Sequence, residues 1–391
     1  MKRFAGVLVS GLVLSASIAI SGASAAPAKF IPAKSKAIAD QYIVVLKDGP
    51  SINAGFVASE IGAKPLFVYD AALNGFAAKL NQGQLKQLQK HPEVAYIEQD
   101  AEVSLQTPQE GIALQATQTS PPWGLDRIDQ HNLPLNGSYS YNSTASNVTV
   151  YMVDTGILAG HTQFGGRAAV AYDTVGGTGV DCIGHGTHVA GTVGGSTYGV
   201  AKGARLRGVR VLDCNGSGTL SSVVAGINWV ANNAVKPAVV TLWPNGPANS
   251  TVDSAATNLV NRGIVVVVGA GDNNADACNY SPARASGVIT VAASDRNDVR
   301  APFSNYGPCV ELYAPGVNIT SAWIGGTATN TISSTSAAAA HVAGVAAQYL
   351  STNPSATPSM VSSWIITNAT PNVIINNPPN TPNRLLYKAG L

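Results

Sequence analysis

The chain has 391 residues, of which only 11% are charged, and its formal net charge is +2. This length is sufficient for one large domain and one small one. The nearly balanced charge excludes the strongly basic surface with which nucleic-acid-binding proteins attract phosphates.

The first 25 residues have the composition of a secretory signal peptide. Lys2 and Arg3 give a positive start, Val7–Ile20 is apolar, and Ala23 and Ala25 supply the small residues that precede signal cleavage. The apolar stretch is too short to predict a membrane span, although an uncleaved anchor remains the alternative. The sequence therefore predicts a secreted, extracellular protein that has no membrane partner after signal removal.

Residues 40–105 predict a small α+β module. The predicted elements are, in chain order, a strand at 42–46, a helix at 52–61, two strands within 66–80, a helix around 85–90 and a strand at 94–98. This βαββαβ order is typical of a ferredoxin-like fold. Residues 101–122 show no sustained periodicity, and we interpret them as a linker.

From Trp123 onward, apolar β-branched strands alternate with helical segments. The predicted strands are Val148–Val153, Arg205–Leu212, Ala238–Leu242, Ile264–Val268 and Val288–Ala292. Runs such as Ile264–Val268 are too apolar for a half-exposed strand. The pattern predicts an α/β fold with a doubly wound, mainly parallel sheet that has helices on both faces.

Four cysteines in an exported chain predict disulfide bonds. Three pairings can be formed from Cys182, Cys214, Cys278 and Cys309. One of them joins Cys182 to Cys214 and Cys278 to Cys309, and it closes two loops of about 31 residues, each adding about 3–4 kcal/mol by loop entropy.

Three segments contain the residue types that nucleophilic catalysis requires. Asp154 follows the strand at 148–153, His185 lies in the small-residue run GHGTHVAG, and Ser336 precedes an alanine-rich helix. The position of His185 in a first helical turn predicts that it faces solvent. Taken singly, Asp154 is equally explained as a turn cap and Ser336 as a helix N-cap. Local chemistry does not separate Ser336 from Ser333 and Ser334.

Taken together, these motifs resemble the subtilisin-type protease family. The matching segments are VDTG at 153–156, GHGTHVAG at 184–191, TS at 335–336 and HVAG at 341–344. Segments between them, including YGVA at 198–201 and FSNYG at 303–307, resemble the proteinase K branch. The four cysteines match its aqualysin-like bacterial members and support the short-loop pairing, and residues 40–105 resemble the inhibitor-type propeptide of that family.

The resemblance implies a self-processing precursor of a serine endopeptidase. Ser336 would attack the peptide carbonyl, His185 would transfer the proton, and Asp154 would orient the imidazole. The implied boundaries are a signal peptide at 1–25, a propeptide at 26–115 that inhibits the enzyme and is cut off near Gln115, and a peptidase domain at 116–391. We expect a monomer that acts on proteins or peptides without a catalytic cofactor. Further substrate contacts are expected from Ser217 and Gly218.

The sequence departs from this family around the expected site. Asp272 replaces the asparagine that stabilises the oxyanion, and an ionised carboxylate offers no donor. Ser334 stands at the glycine position of the Gly-Thr-Ser motif. Trp243-Pro244-Asn245 stands where the family has Ser-Leu-Gly, and together with Gly269-Ala270-Gly271 it is expected to line the specificity pocket. A catalytically impaired binding or scaffold protein is therefore the competing hypothesis, and an inhibitor role for the first module is another.

Structural calcium is also predicted. Asp126, Asp129 and Gln130 place oxygen ligands close together, as calcium requires. The resemblance further implies that Glu311 binds calcium with backbone carbonyls that include Val288. His188 lies three residues after His185, but the sequence between them lacks the glutamate of a zinc protease, so we expect it to be a packing residue.

Overall fold

The computed structural model describes residues 27–47, 49, 52–104 and 120–391. The predicted signal peptide and the predicted cut near Gln115 lie outside these residues. The described residues form an N-terminal module, 27–104, and a C-terminal domain, 120–391. Within this part of the chain, no helix combines the length and the apolar character that a bilayer crossing requires.

The N-terminal module has the predicted order of strands and helices, with one strand added in front. Its elements are β1 Lys29–Ile31, β2 Ala37–Leu46, α1 Ala54–Glu60, β3 Pro65–Tyr69, β4 Gly75–Lys79, α2 Gln82–Lys90 and β5 Val94–Ser104. The strands lie in the order β1-β5-β2-β4-β3. The predicted start of the linker at residue 101 is wrong, because residues 101–104 continue β5.

The C-terminal domain is built on a nine-stranded, mainly parallel sheet. Its helices are α3 Trp123–Ile128, α4 His185–Gly194, α5 Leu220–Asn233, α6 Ser250–Asn261, α7 Thr335–Thr352 and α8 Pro358–Asn368. Its strands are β6 Thr149–Asp154, β7 Ala168–Asp173, β8 Arg205–Arg210, β9 Ser217–Thr219, β10 Ala238–Leu242, β11 Gly246–Pro247, β12 Val265–Gly269, β13 Tyr280–Ser281, β14 Ile289–Ser294, β15 Leu312–Pro315, β16 Ile319–Ala322, β17 Thr329–Ile332, β18 Thr370–Pro371 and β19 Arg384–Leu385. The large sheet has the order β18-β19-β15-β14-β12-β10-β6-β8-β7, and only the β18–β19 pair in it is antiparallel.

Helices cover both faces of this sheet, as predicted. α4, α7 and α8 pack on one face, and α5 and α6 pack on the other. All residues of the central strands β6, β10 and β12 are buried. Because both faces of these strands are covered, their sequences are apolar without alternation.

The N-terminal module packs on the outer side of α5 and α6. Its residues Ile43, Tyr69 and Leu73 share one apolar cluster with Val223 of α5 and Val252 of α6. The module therefore covers the helices on the second face of the sheet.

Two disulfides join Cys182 to Cys214 and Cys278 to Cys309, with Cα atoms 5.4 and 5.3 Å apart. This is the pairing that closes the two short loops. The first bond lies three residues before His185 and ties the start of α4 to the segment after β8.

A buried ion pair links α3 to the loop after β14. Arg127 is fully buried and donates to both carboxylate oxygens of Asp298, from Nε at 2.6 Å and from Nη2 at 2.9 Å. The guanidinium also donates to the carbonyls of Gln130 and His131. This arrangement satisfies a charge that would otherwise be costly to bury.

We predict that Asp298→Asn lowers the free energy of unfolding by about 3–5 kcal/mol, because it leaves the buried charge of Arg127 without its counterion. Asparagine tolerates the φ of 63° at this position, so the backbone is preserved. Urea unfolding should be measured in a Ser336→Ala background to avoid self-digestion. The matched control is Asp295→Asn, because Asp295 accepts backbone N–H bonds from Asn297 and Val299 that an amide oxygen can also accept. Equal losses in the two variants would contradict the prediction.

Candidate active site

Asp154, His185 and Ser336 meet at one edge of the central sheet. Asp154 is the last residue of β6, His185 is the first residue of α4, and Ser336 lies in the first turn of α7. His185 Nδ1 lies 2.7 Å from Asp154 Oδ1, and His185 Nε2 lies 2.8 Å from Ser336 Oγ. This chain of hydrogen bonds lets the imidazole remove a proton from the hydroxyl while the carboxylate holds the ring.

His185 is 1% exposed, so the prediction that it faces solvent is wrong. The ring of Trp243 lies against it, with ring centroids 5.3 Å apart. The indole of Trp323 lies so close to Gly184 that a Cβ there would be 2.3 Å from it. Aromatic residues from distant segments therefore enclose the start of α4.

The electrostatics around His185 favour its protonated form. Burial by itself would lower the pKa of His185, but the carboxylates of Asp154, Asp181 and Asp272 together raise it above the ordinary value of 6.5. The site therefore stabilises the imidazolium that forms when the nucleophile loses its proton.

Asp181, which no sequence motif singled out, holds the two loops that carry Asp154 and His185. Its buried carboxylate accepts hydrogen bonds from Thr155 Oγ1 at 2.9 Å, from Gly184 N at 2.8 Å and from Thr187 N at 2.9 Å. Thr155 Oγ1 in turn accepts from Gly186 N. A lone aspartate before a glycine-rich turn is a weak signal, because such residues cap many turns.

Asp272 and Ser334 both lie at the start of α7, beside the nucleophile. Asp272 Oδ1 accepts from Thr335 N at 2.8 Å, and burial raises the pKa of this carboxyl. Ser334 is the N-cap of α7: its Oγ accepts from Ser336 N at 3.0 Å and contacts Ser336 Oγ. Of the three serines that local chemistry did not separate, Ser336 is the one that bonds to His185.

The two predicted pocket segments lie at the ends of the neighbouring strands β10 and β12. Asn245 spans them, because its Nδ2 donates to Gly269 O at 2.7 Å. Gly271 has a φ of 105°, and a Cβ there would lie 2.4 Å from Asn305 Nδ2. The amide of Asn245 therefore links the first pocket segment to the second.

The predicted substrate-binding strand is occupied by the N-terminal module. β5 pairs with β9 in antiparallel fashion, with Val103 opposite Gly218 and Ser104 opposite Ser217. Added strands of this kind bind through main-chain hydrogen bonds. The end of β5 thus lies where an extended peptide is expected to bind.

Two carboxylates of β5 dock on helix N-termini of the C-terminal domain. Glu98 accepts from Asn249 Nδ2 at 2.8 Å and from Thr251 N at 3.3 Å, at the start of α6. Asp100 accepts from Ser221 N at 3.2 Å, at the start of α5. Negative charge at a helix N-terminus is stabilised by the helix dipole and by the free N–H groups there.

The first set of predicted calcium ligands bonds mainly to protein donors. Asp126 accepts from Gly137 N at 2.8 Å, and Gln130 Oε1 accepts from Asn136 N at 3.1 Å. Asp129 pairs with Lys388 Nζ at 2.9 Å. These three side chains converge on one loop, and their oxygens have protein partners that a cation would have to displace or share.

The second predicted calcium site contains a carboxyl group, that of Glu311, whose ionised form is disfavoured by burial. Glu311 Oε2 accepts from Thr290 N at 2.6 Å, two residues after Val288. Burial raises the pKa of Glu311 from its ordinary 4.5 to about 7. A cation at this carboxylate would offset that penalty, so the donor chemistry here fits calcium.

His188 and His341 are packing residues. His188 Nε2 bonds to Ile319 O at 2.9 Å, and burial lowers its pKa to about 3. His341 Nδ1 bonds to Ala337 O, and burial lowers its pKa to about 4. Both rings are therefore neutral at physiological pH, as expected for core histidines.

Known proteins resemble both parts of the chain. An extracellular serine proteinase of Thermus sp. (strain Rt41A) is 54% identical over 83% of this chain and 78% of its own length. Proteinase R of Parengyodontium album is 43% identical over 92% of each chain. A crystal structure of a cold-adapted subtilisin-like serine proteinase, 47% identical, superposes with a TM-score of 0.68 over 69% of this chain and 99% of that one.

Family profiles agree with these similarities. Residues 41–106 match peptidase inhibitor I9, and residues 145–388 match the subtilase family. The second match covers more than half of the chain. The chain therefore belongs to the subtilase family of serine peptidases and carries an inhibitor I9 domain ahead of its peptidase domain.

Proposed function

We propose that this chain is the precursor of a secreted serine endopeptidase that hydrolyses peptide bonds through an acyl-enzyme. The observation that carries the proposal is the unbroken hydrogen-bonded series Asp154–His185–Ser336. Ser336 Oγ attacks the scissile carbonyl, and His185 Nε2 takes its proton and then gives it to the leaving amine. Water, activated by the same imidazole, then releases the acyl group. Asp154 keeps the ring oriented and stabilises its charged form.

The relatives and the module's position support the rest of this proposal. The Thermus relative is an extracellular proteinase, which agrees with a signal peptide at 1–25. The pairing of β5 with β9 supports inhibition by a propeptide at 26–115. While β5 is paired with β9, an extended substrate cannot add to the same edge strand. A peptidase domain at 116–391, a monomeric state and protein or peptide substrates complete the proposal.

A catalytically impaired scaffold protein is the second candidate. The observation that favours it is the carboxylate of Asp272, which acts as an acceptor at the position where a donor is expected. The altered sequence of the pocket segment Trp243-Pro244-Asn245 also favours it. These features weaken transition-state stabilisation and substrate binding without removing the triad.

We also propose that Glu311 and the carbonyl of Val288 hold a structural calcium ion. The raised pKa of the buried Glu311 carboxyl supports this site. The ion would neutralise that carboxylate and fix the start of β14 relative to β15. Calcium at Asp126, Asp129 and Gln130 stays a prediction that would require their present partners to be displaced.

Self-processing tests the proposed function. We expect the exported wild-type chain to lose its N-terminal module and the Ser336→Ala chain to keep it, because the variant lacks the nucleophile. Intact mass shows both the loss and the position of the cut. Processed protein should also digest casein, and a serine-directed phosphonyl fluoride should abolish that digestion. A wild-type chain that stays full-length alongside Ser336→Ala would instead support the impaired scaffold.

We predict that Asp272→Asn raises kcat, with about 1,000-fold as the upper bound, because the amide supplies the missing oxyanion donor. Asp272→Ala is the matched control, since it removes the negative charge without adding a donor and should gain less. The acid limb of the pH–rate profile should move to lower pH in both variants, because the Asp272 carboxylate helps to raise the pKa of His185. An Asn variant that is no faster than wild type would contradict the prediction.

Calcium should raise the melting temperature of the Ser336→Ala protein, and Glu311→Gln should abolish this response. Without calcium, the raised pKa of Glu311 means that stability is lost as pH rises from about 4.5 through about 7. Glu311→Gln should therefore stabilise the calcium-free protein at pH 8, because no buried charge remains. A melting temperature that does not change between calcium and chelator would rule out this site.

A further inference from the structure

The hydroxyl of Ser334 lies directly beside the predicted nucleophile. Its Oγ accepts hydrogen bonds from Ser336 N at 3.0 Å and from Ala337 N at 3.3 Å, and it contacts Ser336 Oγ. The residue is 3% exposed. A glycine, which the family resemblance implies at this position, would place no atom there.

This location matches what acyl transfer requires of the oxyanion. In the tetrahedral intermediate, the oxyanion is bonded to the same carbon as the nucleophile's oxygen. It therefore lies beside Ser336 Oγ, and it is stabilised by the backbone N–H of the nucleophile residue. Ser334 Oγ contacts Ser336 Oγ and accepts from Ser336 N, so it meets both conditions.

We propose that the Ser334 hydroxyl occupies the oxyanion position and competes with substrate for the backbone N–H of Ser336. This inference rests on the proposed peptidase function. A bound substrate must turn the hydroxyl away before its carbonyl oxygen receives the N–H. Ser334 is thus a second departure, beside Asp272, that weakens stabilisation of the same charge.

Two backbone N–H groups near Ser336 also have acceptors within the protein, so neither is free to replace the N–H of Ser336 as a donor to the substrate. The N–H of Thr335 is taken by Asp272 Oδ1, and the N–H of Gly271 is taken by Thr335 Oγ1 at 3.1 Å. The backbone of Ser334 is extended, with φ −165° and ψ 160°. Such a backbone permits other side-chain rotamers, so the hydroxyl can be displaced by a rotation about χ1.

The size of the effect follows from the capping bond. Displacing the hydroxyl breaks an N-cap hydrogen bond, whose loss corresponds to a rate factor on the order of 10-fold. Ser334→Gly and Ser334→Ala should therefore accelerate the reaction on the order of 10-fold. Both variants should also melt at a lower temperature, because α7 loses its cap. A purely structural role would lower stability without raising the rate.

The test uses the full chain and two rates that need no external peptide. One is the first-order rate of self-cleavage on refolding. The other is the rate at which a phosphonyl fluoride modifies Ser336, followed by mass; its phosphoryl oxygen enters the same position as the oxyanion. The matched control is Ser333→Ala, because the Ser333 hydroxyl instead accepts from Asn318 N at 2.8 Å. Faster rates in Ser334→Gly and Ser334→Ala, with the control unchanged, are expected.

Rates that are unchanged or lower in both Ser334 variants would overturn the inference; lower rates would mean that the hydroxyl donates to the oxyanion.

The double variant Asp272→Asn/Ser334→Gly should gain more than the product of the single gains, because the new amide donor reaches a vacated position. If a folded double variant neither cleaves itself nor reacts with the reagent, the peptidase proposal fails as well. A wild type that is active but no slower than Ser334→Gly would reject only the inference about Ser334 and would leave the peptidase proposal standing.

Discussion

The candidate site depends on hydrogen bonds between side chains at the carboxyl end of a parallel strand and side chains in the first turns of two helices. Because parallel strands run in one direction, their ends and the following helices meet at the same edge. Asp154 ends β6 there, and α4 and α7 begin there with His185 and Ser336 in their first turns. The carboxylate of Asp154 is buried, but it accepts from Thr155 N and from His185. These bonds compensate for its burial and hold the imidazole towards Ser336.

The same property of helix starts explains how the N-terminal module docks. Each helix begins with N–H groups that lack partners within the helix. Glu98 supplies acceptors at α6, and Asp100 supplies one at α5. Since both residues lie on β5, their contacts also set the register in which β5 runs along β9. The docking of the module and its pairing with the predicted substrate strand therefore arise from one segment.

The family resemblance, rather than local pattern, identified Asp154, His185 and Ser336 as a set. Local pattern was sufficient to predict the parallel sheet and the places where α4 and α7 begin. It failed where a residue's surroundings come from distant segments. His185 was expected in solvent because a first-turn position says nothing of Trp243, which arrives from the end of β10. Residues 101–104 were assigned to a linker because strand pairing with β9 depends on backbone bonds, which leave no periodicity in side chains. Asp181 was missed because its five donors are brought together only by the folded loops.

The departures from the family motif share one physical consequence at α7. An N–H at a helix start either caps the helix by meeting an acceptor from the chain, or remains available to a ligand. A glycine before the nucleophile leaves the N–H of Ser336 available, whereas Ser334 caps it. Asp272 accepts from the N–H of Thr335, as an asparagine oxygen could, but it has no amide to donate. If the proposed competition holds, the Ser334 cap stabilises the start of α7 and withdraws the N–H of Ser336 from the developing negative charge. On this proposal, helix capping and transition-state stabilisation depend on the same N–H group of Ser336, so a residue that improves the cap slows the reaction.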